Sequence, residues 1–269
     1  MKKRILTFII CICMLLPVFT GSVADTLRPG DTNGDGKITA ADAALALRHA
    51  VGLDRIWDRE TRMLNDFDCD GTVGAEDGAA ILRHVAGISS LKNTKTDSAI
   101  LASLNKQSLV SDELTEWVAR FIQVMPNNSD VRKVLLAGAT YLGTPYGTKD
   151  GQMDCSRFVA TAYSDAGIAK TLYPQKSSDG TMTWYLANKP DKIHPTTEND
   201  WKSWTPGSVL IYINDATGKG SHLALYVGEI DGEPIVMESR RSGCDGVRLG
   251  YLMGSSESWD LVYYVDPLN

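Results

Sequence analysis

A twelve-residue pattern occurs twice in this chain, and no other feature limits its folding as tightly. Asp31-Thr32-Asn33-Gly34-Asp35-Gly36-Lys37-Ile38-Thr39-Ala40-Ala41-Asp42 returns 35 positions later as Asp66-Phe67-Asp68-Cys69-Asp70-Gly71-Thr72-Val73-Gly74-Ala75-Glu76-Asp77. Oxygen-bearing side chains at positions 1, 3, 5 and 12, glycine at 6 for the sharp turn and an apolar residue at 8 are what a hard cation with six or more oxygen ligands requires. One such stretch is commonly a solvated acidic loop, whereas two in the same register read as calcium loops. Lys37 and Thr72 supply the position-7 carbonyls. Each loop is followed by a short helix stopped by glycine, Ala44 to Gly52 and Ala79 to Gly87. Arg28-Pro29-Gly30 leaves no room for an entering helix, and position 12 is aspartate, not a bidentate glutamate. The unit is therefore a loop plus one helix, present twice. The second loop offers four carboxylates against three, which predicts tighter calcium binding there.

Residues 25–90 closely resemble type I dockerins. The resemblance implies two structural calcium ions, held by Asp31, Asn33, Asp35 and Asp42 in one loop and by Asp66, Asp68, Asp70 and Asp77 in the other. It also implies folding that depends on calcium, and a cohesin module of a cellulosome-like scaffold protein as partner. Positions 10 and 11, where that family often carries a hydroxyl pair, are Ala40-Ala41 and Ala75-Glu76. The identity of the cohesin therefore stays open.

Residues 1–24 read as a signal peptide. Lys2-Lys3-Arg4 precedes the apolar run Ile5 to Phe19 and the small-x-small site Ser22-Val23-Ala24. The run is interrupted at Pro17 and falls short of the roughly 20 residues a spanning helix needs. The expectation is a secreted, extracellular protein, scaffold- or cell-surface-associated, with no membrane span after cleavage. The net charge of -6 becomes -9 once three basic residues leave with the signal (-6 - 3), which argues against nucleic acid as a partner. Cleavage would leave Cys69, Cys155 and Cys244, an odd number without C-x-x-C spacing.

Ile88 to Lys106 is polar and reads as a linker. Val110, Leu114, Trp117, Phe121 and Met125 then recur at helical spacing, and a second helix begins at Ser129-Asp130. Together residues 91–128 form a linker and helical preface. From 129 onward, helix and strand patterns give an α+β domain. Ser156 to Ile168 is helical, which sets Cys155 at a helix N-terminus. Unpaired N–H groups there favour the thiolate, and pKa values of about 3.5 to 7.5 occur in such settings. Strands follow at Val209 to Ile213, at Ser221 to Gly228 opened by His222, and at Ile235 to Glu238, with two more at Val247 to Leu249 and Leu261 to Val265. His194 lies in a polar loop before Pro195, leaving His222 as the partner for the sulfur.

Gly143-Thr-Pro-Tyr146, Asp154-Cys155-Ser156, Pro206-Gly-Ser-Val-Leu-Ile and Ser221-His222-x-Ala-Leu-Tyr-Val-Gly228 resemble the NlpC family of secreted cell-wall cysteine peptidases, over residues 129–269. The resemblance implies a papain-like fold, helices packed on an antiparallel sheet, and hydrolysis of peptidoglycan stem-peptide amides without an active-site metal. It makes Cys155 the nucleophile, His222 its partner and Glu238 the residue orienting the ring. Tyr146 and the Cys155 N–H would hold the oxyanion, and Asp154 and Ser156 would face the substrate. Arg157 replaces the family's usual glycine, and Glu238 stands where histidine or a neutral polar residue is commoner. An acyltransferase or esterase on the same triad, and a non-catalytic cohesin-docked binding protein, are the competing readings. Trp184, Tyr185, Trp201 and Trp204 wall a cleft or simply pack.

Overall fold

The computed structural model describes residues 28–56, 59–68, 72–91, 97–127, 129–168, 177–230, 232–241, 245–254 and 258–268. The segment 1–24 expected to be a signal peptide, and Cys69, Asp70 and Cys244, lie outside the described residues.

The duplicated sequence folds as a duplicated structure. Helices α1 (Ala40–Ala50) and α3 (Ala75–Val85) each start directly beneath a calcium-type loop and pack on one another. Ala43, Ala46, Ile56, Val73 and Ile81 form a small core between them. Gly78 permits the approach, because a Cβ there would lie 2.6 Å from Leu47 Cγ. Both helices end alike: Gly52 and Gly87 turn left-handed at φ 74° and 71°, and the next residue's N–H bonds back to Arg48 or Arg83. The two histidines repeat a role as well. His49 Nδ1 accepts from the Ile56 N–H at 3.3 Å, and His84 Nδ1 from the Leu91 N–H at 3.2 Å, so each secures the chain leaving its helix.

The segment expected to be a linker holds a helix, α4 (Ser98–Leu104), capped by Asp97. Its Ile100 and Leu104 are buried in the core of the C-terminal domain. Helices α5 (Asp112–Val124) and α6 (Asp130–Thr140) follow, capped by Ser111 and Ser129. Next come α7 (Cys155–Asp165) and α8 (Ser178–Asn188). Six strands, β1 (Ile193–Pro195), β2 (Val209–Asn214), β3 (Lys219–Ile230), β4 (Glu233–Arg240), β5 (Gly246–Tyr251) and β6 (Trp259–Val265), form one antiparallel sheet ordered β1-β6-β2-β3-β4-β5. The domain is α+β, helices against an antiparallel sheet.

Period-two alternation divides the strands between two cores. Val209, Ile211, Leu223, Leu225, Val227, Ile235 and Met237 pack against Trp117, Val134, Leu135, Phe158 and Val159 of the helices. Leu210, Tyr212, Ala224, Tyr226 and Val236 face the other way, beneath Trp204 and Leu261. No described helix is long and apolar enough to cross a membrane.

The two parts of the chain are joined by more than a connection. A short helix, α2 (Arg59–Asn65), rests on α5. Met63 is buried in the C-terminal core, and Arg120 donates to its carbonyl at 2.6 Å. Trp117, stacked on Phe121 at 5.1 Å, donates its indole N–H to Asp66 Oδ2 at 2.9 Å. Asp66 is position 1 of the second loop, so that loop leans on the helix supporting the sheet.

Candidate active site

Cys155 is the first residue of α7. The preceding Asp154 is the N-cap: its carboxylate accepts from the Arg157 N–H at 2.8 Å and from the Ser156 hydroxyl at 2.8 Å. Asp154 and Ser156, expected to face a substrate, bond to each other. Ser156 is buried, and the pair fixes the first turn carrying the sulfur. Arg157 is exposed and reaches the Lys149 carbonyl at 3.2 Å.

Strand register supplies the remaining groups. Ala224 lies opposite Glu238, and Glu238 opposite Arg248. His222, two residues before Ala224, is the diagonal neighbour of Glu238 on the same face. His222 Nε2 meets Glu238 Oε2 at 2.7 Å, which leaves Nδ1 for the sulfur, and the imidazole and the thiol each shift the other's ionisation. The other carboxylate oxygen, Oε1, accepts from Arg248 through Nε at 3.0 Å and also through Nη2. Ser178, at the head of α8, touches the sulfur from the opposite side, Oγ to Sγ 3.4 Å. Cys155 is a free thiol, and Cys155, His222, Glu238 and Arg248 are all buried.

Charges along this line alternate: sulfur, imidazole, carboxylate, guanidinium. Burial alone pushes the Cys155 thiol up. The hydrogen bond and charge of His222, helped by the Ser178 hydroxyl and the Leu223 backbone, reverse that, and the net shift is downward. Burial likewise disfavours the imidazolium, but hydrogen bonds and charges from Cys155 and Glu238 lift His222 from 6.5 to about 9. Glu238 is pushed up by burial, then drawn down from 4.5 to about 2, first by His222 and then by Arg248. The two shifts run in opposite directions, the thiol downward and the imidazole upward, and both favour the thiolate–imidazolium form, which a protein interior accepts only as a paired set.

Tyr146 is held beside this line by a close backbone approach. Loop 143–147 runs along the start of β5, with a bridge between Pro145 and Gly246. A Cβ on Gly246 would stand 2.4 Å from the Thr144 carbonyl oxygen, so only glycine fits. The charge of Cys155 raises the Tyr146 pKa, after the larger effect of burial. The hydroxyl thus stays protonated, as an oxyanion donor must. Of the residues singled out from sequence, Cys155, His222, Glu238 and Tyr146 converge, whereas His194 sits apart on β1 against Tyr264, ring centroids 4.9 Å away. The aromatics expected between nucleophile and histidine divide: Trp184 and Tyr185 lie on α8, while Trp201 and Trp204 pack on the sheet's far face.

Two residues were missed from the sequence. Arg248 became readable only with the β4–β5 register, and Ser178 only once α8 was seen to begin beside the sulfur.

In the second calcium-type loop, ligand oxygens of Asp66, Asp68 and Asp77 all lie within 4.8 Å of one another, and Asp66 and Asp77 are buried. In the first loop, Asp31 is buried and accepts from the Asp35 and Gly36 N–H groups at 3.0 and 2.8 Å. Asn33 and Asp35 remain exposed at the loop tip. Asp42 Oδ1 accepts from the Asn33 N–H at 3.3 Å, while Oδ2 closes the capping box of α1 with the Thr39 N–H at 2.8 Å. Buried carboxylates gathered so closely repel unless a cation lies among them, and the all-oxygen donor set fits calcium.

Solved structures similar to the chain include two NlpC/P60 proteins. One is a NlpC/P60 family protein from Bacillus cereus ATCC 10987, with 20% identity over 52% of this chain and 40% of that one, TM-score 0.37. The other is a NlpC/P60 endopeptidase from Photobacterium damselae subsp. piscicida, with 20% identity over 48% of this chain and 30% of that one, TM-score 0.30. The chain thus spans less than half the length of either. No protein-family model and no curated protein matches it.

Proposed function

We propose that the protein is a secreted cysteine hydrolase of the NlpC type, an endopeptidase for peptidoglycan stem peptides, tethered by a calcium-dependent dockerin module to a cohesin-bearing scaffold. One observation carries the hydrolase reading: a buried sulfur at a helix N-terminus, in electrostatic contact with an imidazole whose Nε2 is held by a carboxylate at 2.7 Å.

In this reading the Cys155 thiolate attacks the amide carbonyl carbon and a C–S bond forms. The negative charge moves to the carbonyl oxygen, where the Cys155 N–H and the Tyr146 hydroxyl stabilise it. The imidazolium of His222 gives its proton to the leaving nitrogen, and the C–N bond breaks with release of the amine. The thioester left behind is attacked by water, whose proton returns to His222, and breaking the C–S bond restores the thiolate. Glu238 holds the ring in place and sustains its positive charge. A digest of peptidoglycan with the wild type and with Cys155→Ala tests the substrate: newly exposed amines, read by mass spectrometry, are expected only from the wild type. Equal release by both overturns the assignment.

Asp31, Asn33, Asp35 and Asp42 would hold one calcium ion, and Asp66, Asp68, Asp70 and Asp77 the second, with carbonyls from Lys37 and Thr72. The ion would supply charge compensation and no chemistry at the thiol. Chelation of the full-length protein is expected to remove helical circular dichroism through loss of α1 and α3, restored by added calcium. An unchanged signal removes the calcium claim.

A further inference from the structure

The second calcium-type loop is built into the C-terminal domain in a way the first is not. The helix that enters it, α2, gives Met63 to the C-terminal core, and Arg120 of α5 donates to the Met63 carbonyl at 2.6 Å. Three residues later Asp66, position 1 of the loop, accepts from the Trp117 indole N–H at 2.9 Å. Asp66 and Trp117 are each 1% exposed, so water cannot replace either partner. Trp117 stacks on Phe121, and a Cβ on Gly228 would stand 3.2 Å from that phenyl ring. The stack therefore lies against β3, the strand that carries His222. Asp31, the corresponding residue of the first loop, accepts from the Asp35 and Gly36 N–H groups of its own loop.

We propose that Trp117 is a positioning residue for the second calcium site, and that calcium bound there braces α5 and the sheet behind it, so that the loop-helix units and the hydrolase domain form one calcium-linked folding unit. The proposal rests on the calcium reading above and adds what the ion does for the C-terminal domain. A hydrogen bond to an ionised carboxylate is among the strong ones, and this one fixes the first ligand of the loop from outside the loop. Without a cation Asp66, Asp68 and Asp77, whose oxygens lie within 4.8 Å of one another, repel. If Asp66 swings away, a buried indole N–H loses its acceptor and α5 pays the cost. Linkage makes the effect reciprocal: the factor by which α5 tightens calcium at this loop is the factor by which calcium stabilises α5.

The test uses the full-length protein, with amide hydrogen exchange read by mass spectrometry in excess calcium and in chelator. Peptides from α1 and α3 report the calcium reading, and peptides from α5 report the coupling. Calcium is expected to slow exchange in wild-type α5 about ten-fold, the scale of one charge-assisted hydrogen bond between linked sites. In Trp117→Phe, which keeps a ring and removes the donor, that factor should fall toward one while α1 and α3 keep theirs. Calorimetry on the same variant should find the second ion bound about ten-fold more weakly and the first unchanged. If Trp117→Phe fails to fold, two loop variants decide: Asp68→Ala should abolish the slowing in α5, and Asp35→Ala should leave most of it. Calcium that slows α1 and α3 but not α5, equal slowing of α5 in wild type and Trp117→Phe, or equal loss in the two loop variants overturns the coupling and leaves the calcium reading standing. No slowing in any of these helices overturns the calcium reading and the coupling with it.

Discussion

Replacing His222 with alanine is expected to lower kcat/KM by about 10⁴-fold or more, the scale on which members of a nucleophile–base unit fail. Two losses combine. The leaving nitrogen no longer receives a proton, and the sulfur loses the positive neighbour that offsets its burial. Without that neighbour burial dominates, the Cys155 pKa rises above its ordinary 9.0, and the nucleophile is a neutral thiol at neutral pH. Wild-type turnover should stay level through neutral pH and decline only as His222 deprotonates near pH 9. A His222→Ala variant keeping more than a hundredth of wild-type kcat/KM would show that the imidazole does not serve the sulfur.

Arg248→Leu is expected to cost about 3–5 kcal/mol in chemical denaturation, because it leaves a buried carboxylate short of a partner. The loss depends on pH in a definite direction. Glu238 is depressed from 4.5 to about 2 in the folded protein. Its contribution is therefore fully present above about pH 4.5 and lost as pH falls through about 2. Removing Arg248 raises the folded-state pKa, so acid unfolding should begin at higher pH. The difference from wild type should be largest near neutrality and shrink once the carboxyl is protonated in both proteins. Adding Glu238→Gln to Arg248→Leu should recover part of the stability by removing the stranded charge. If the single variant is as stable as wild type at pH 7, Arg248 does not hold Glu238 charged.

Much of this was legible in the chain because short-range rules governed it. Ser129 announces α6, apolar spacing draws the inward face of α5, and apolar runs, buried on both faces, mark β2 and β3. Cys155 falls at a helix start because Asp154 is an N-cap. Elsewhere the decisive contact is long-range or the local signal is weak. Helix α4 hides in a polar stretch, as only Ile100 and Leu104 of its residues are fully buried. Helix α8 buries Ser178 and Thr181 beside Met182 and Tyr185, a mixed face with little periodicity. Arg248 resembles any strand arginine until register sets it opposite Glu238. The bond from Trp117 to Asp66 spans 51 positions, and no local pattern foretells it.

The central claim, a thiolate–imidazolium pair at rest, is tested most directly by ultraviolet titration of thiolate absorbance, taking wild type minus Cys155→Ala so that other cysteines cancel. The account predicts that the Cys155 signal is present at neutral pH and disappears only on acidification, and that in His222→Ala it emerges only above pH 9. A wild-type signal that first emerges near the ordinary thiol value of 9.0 would contradict it.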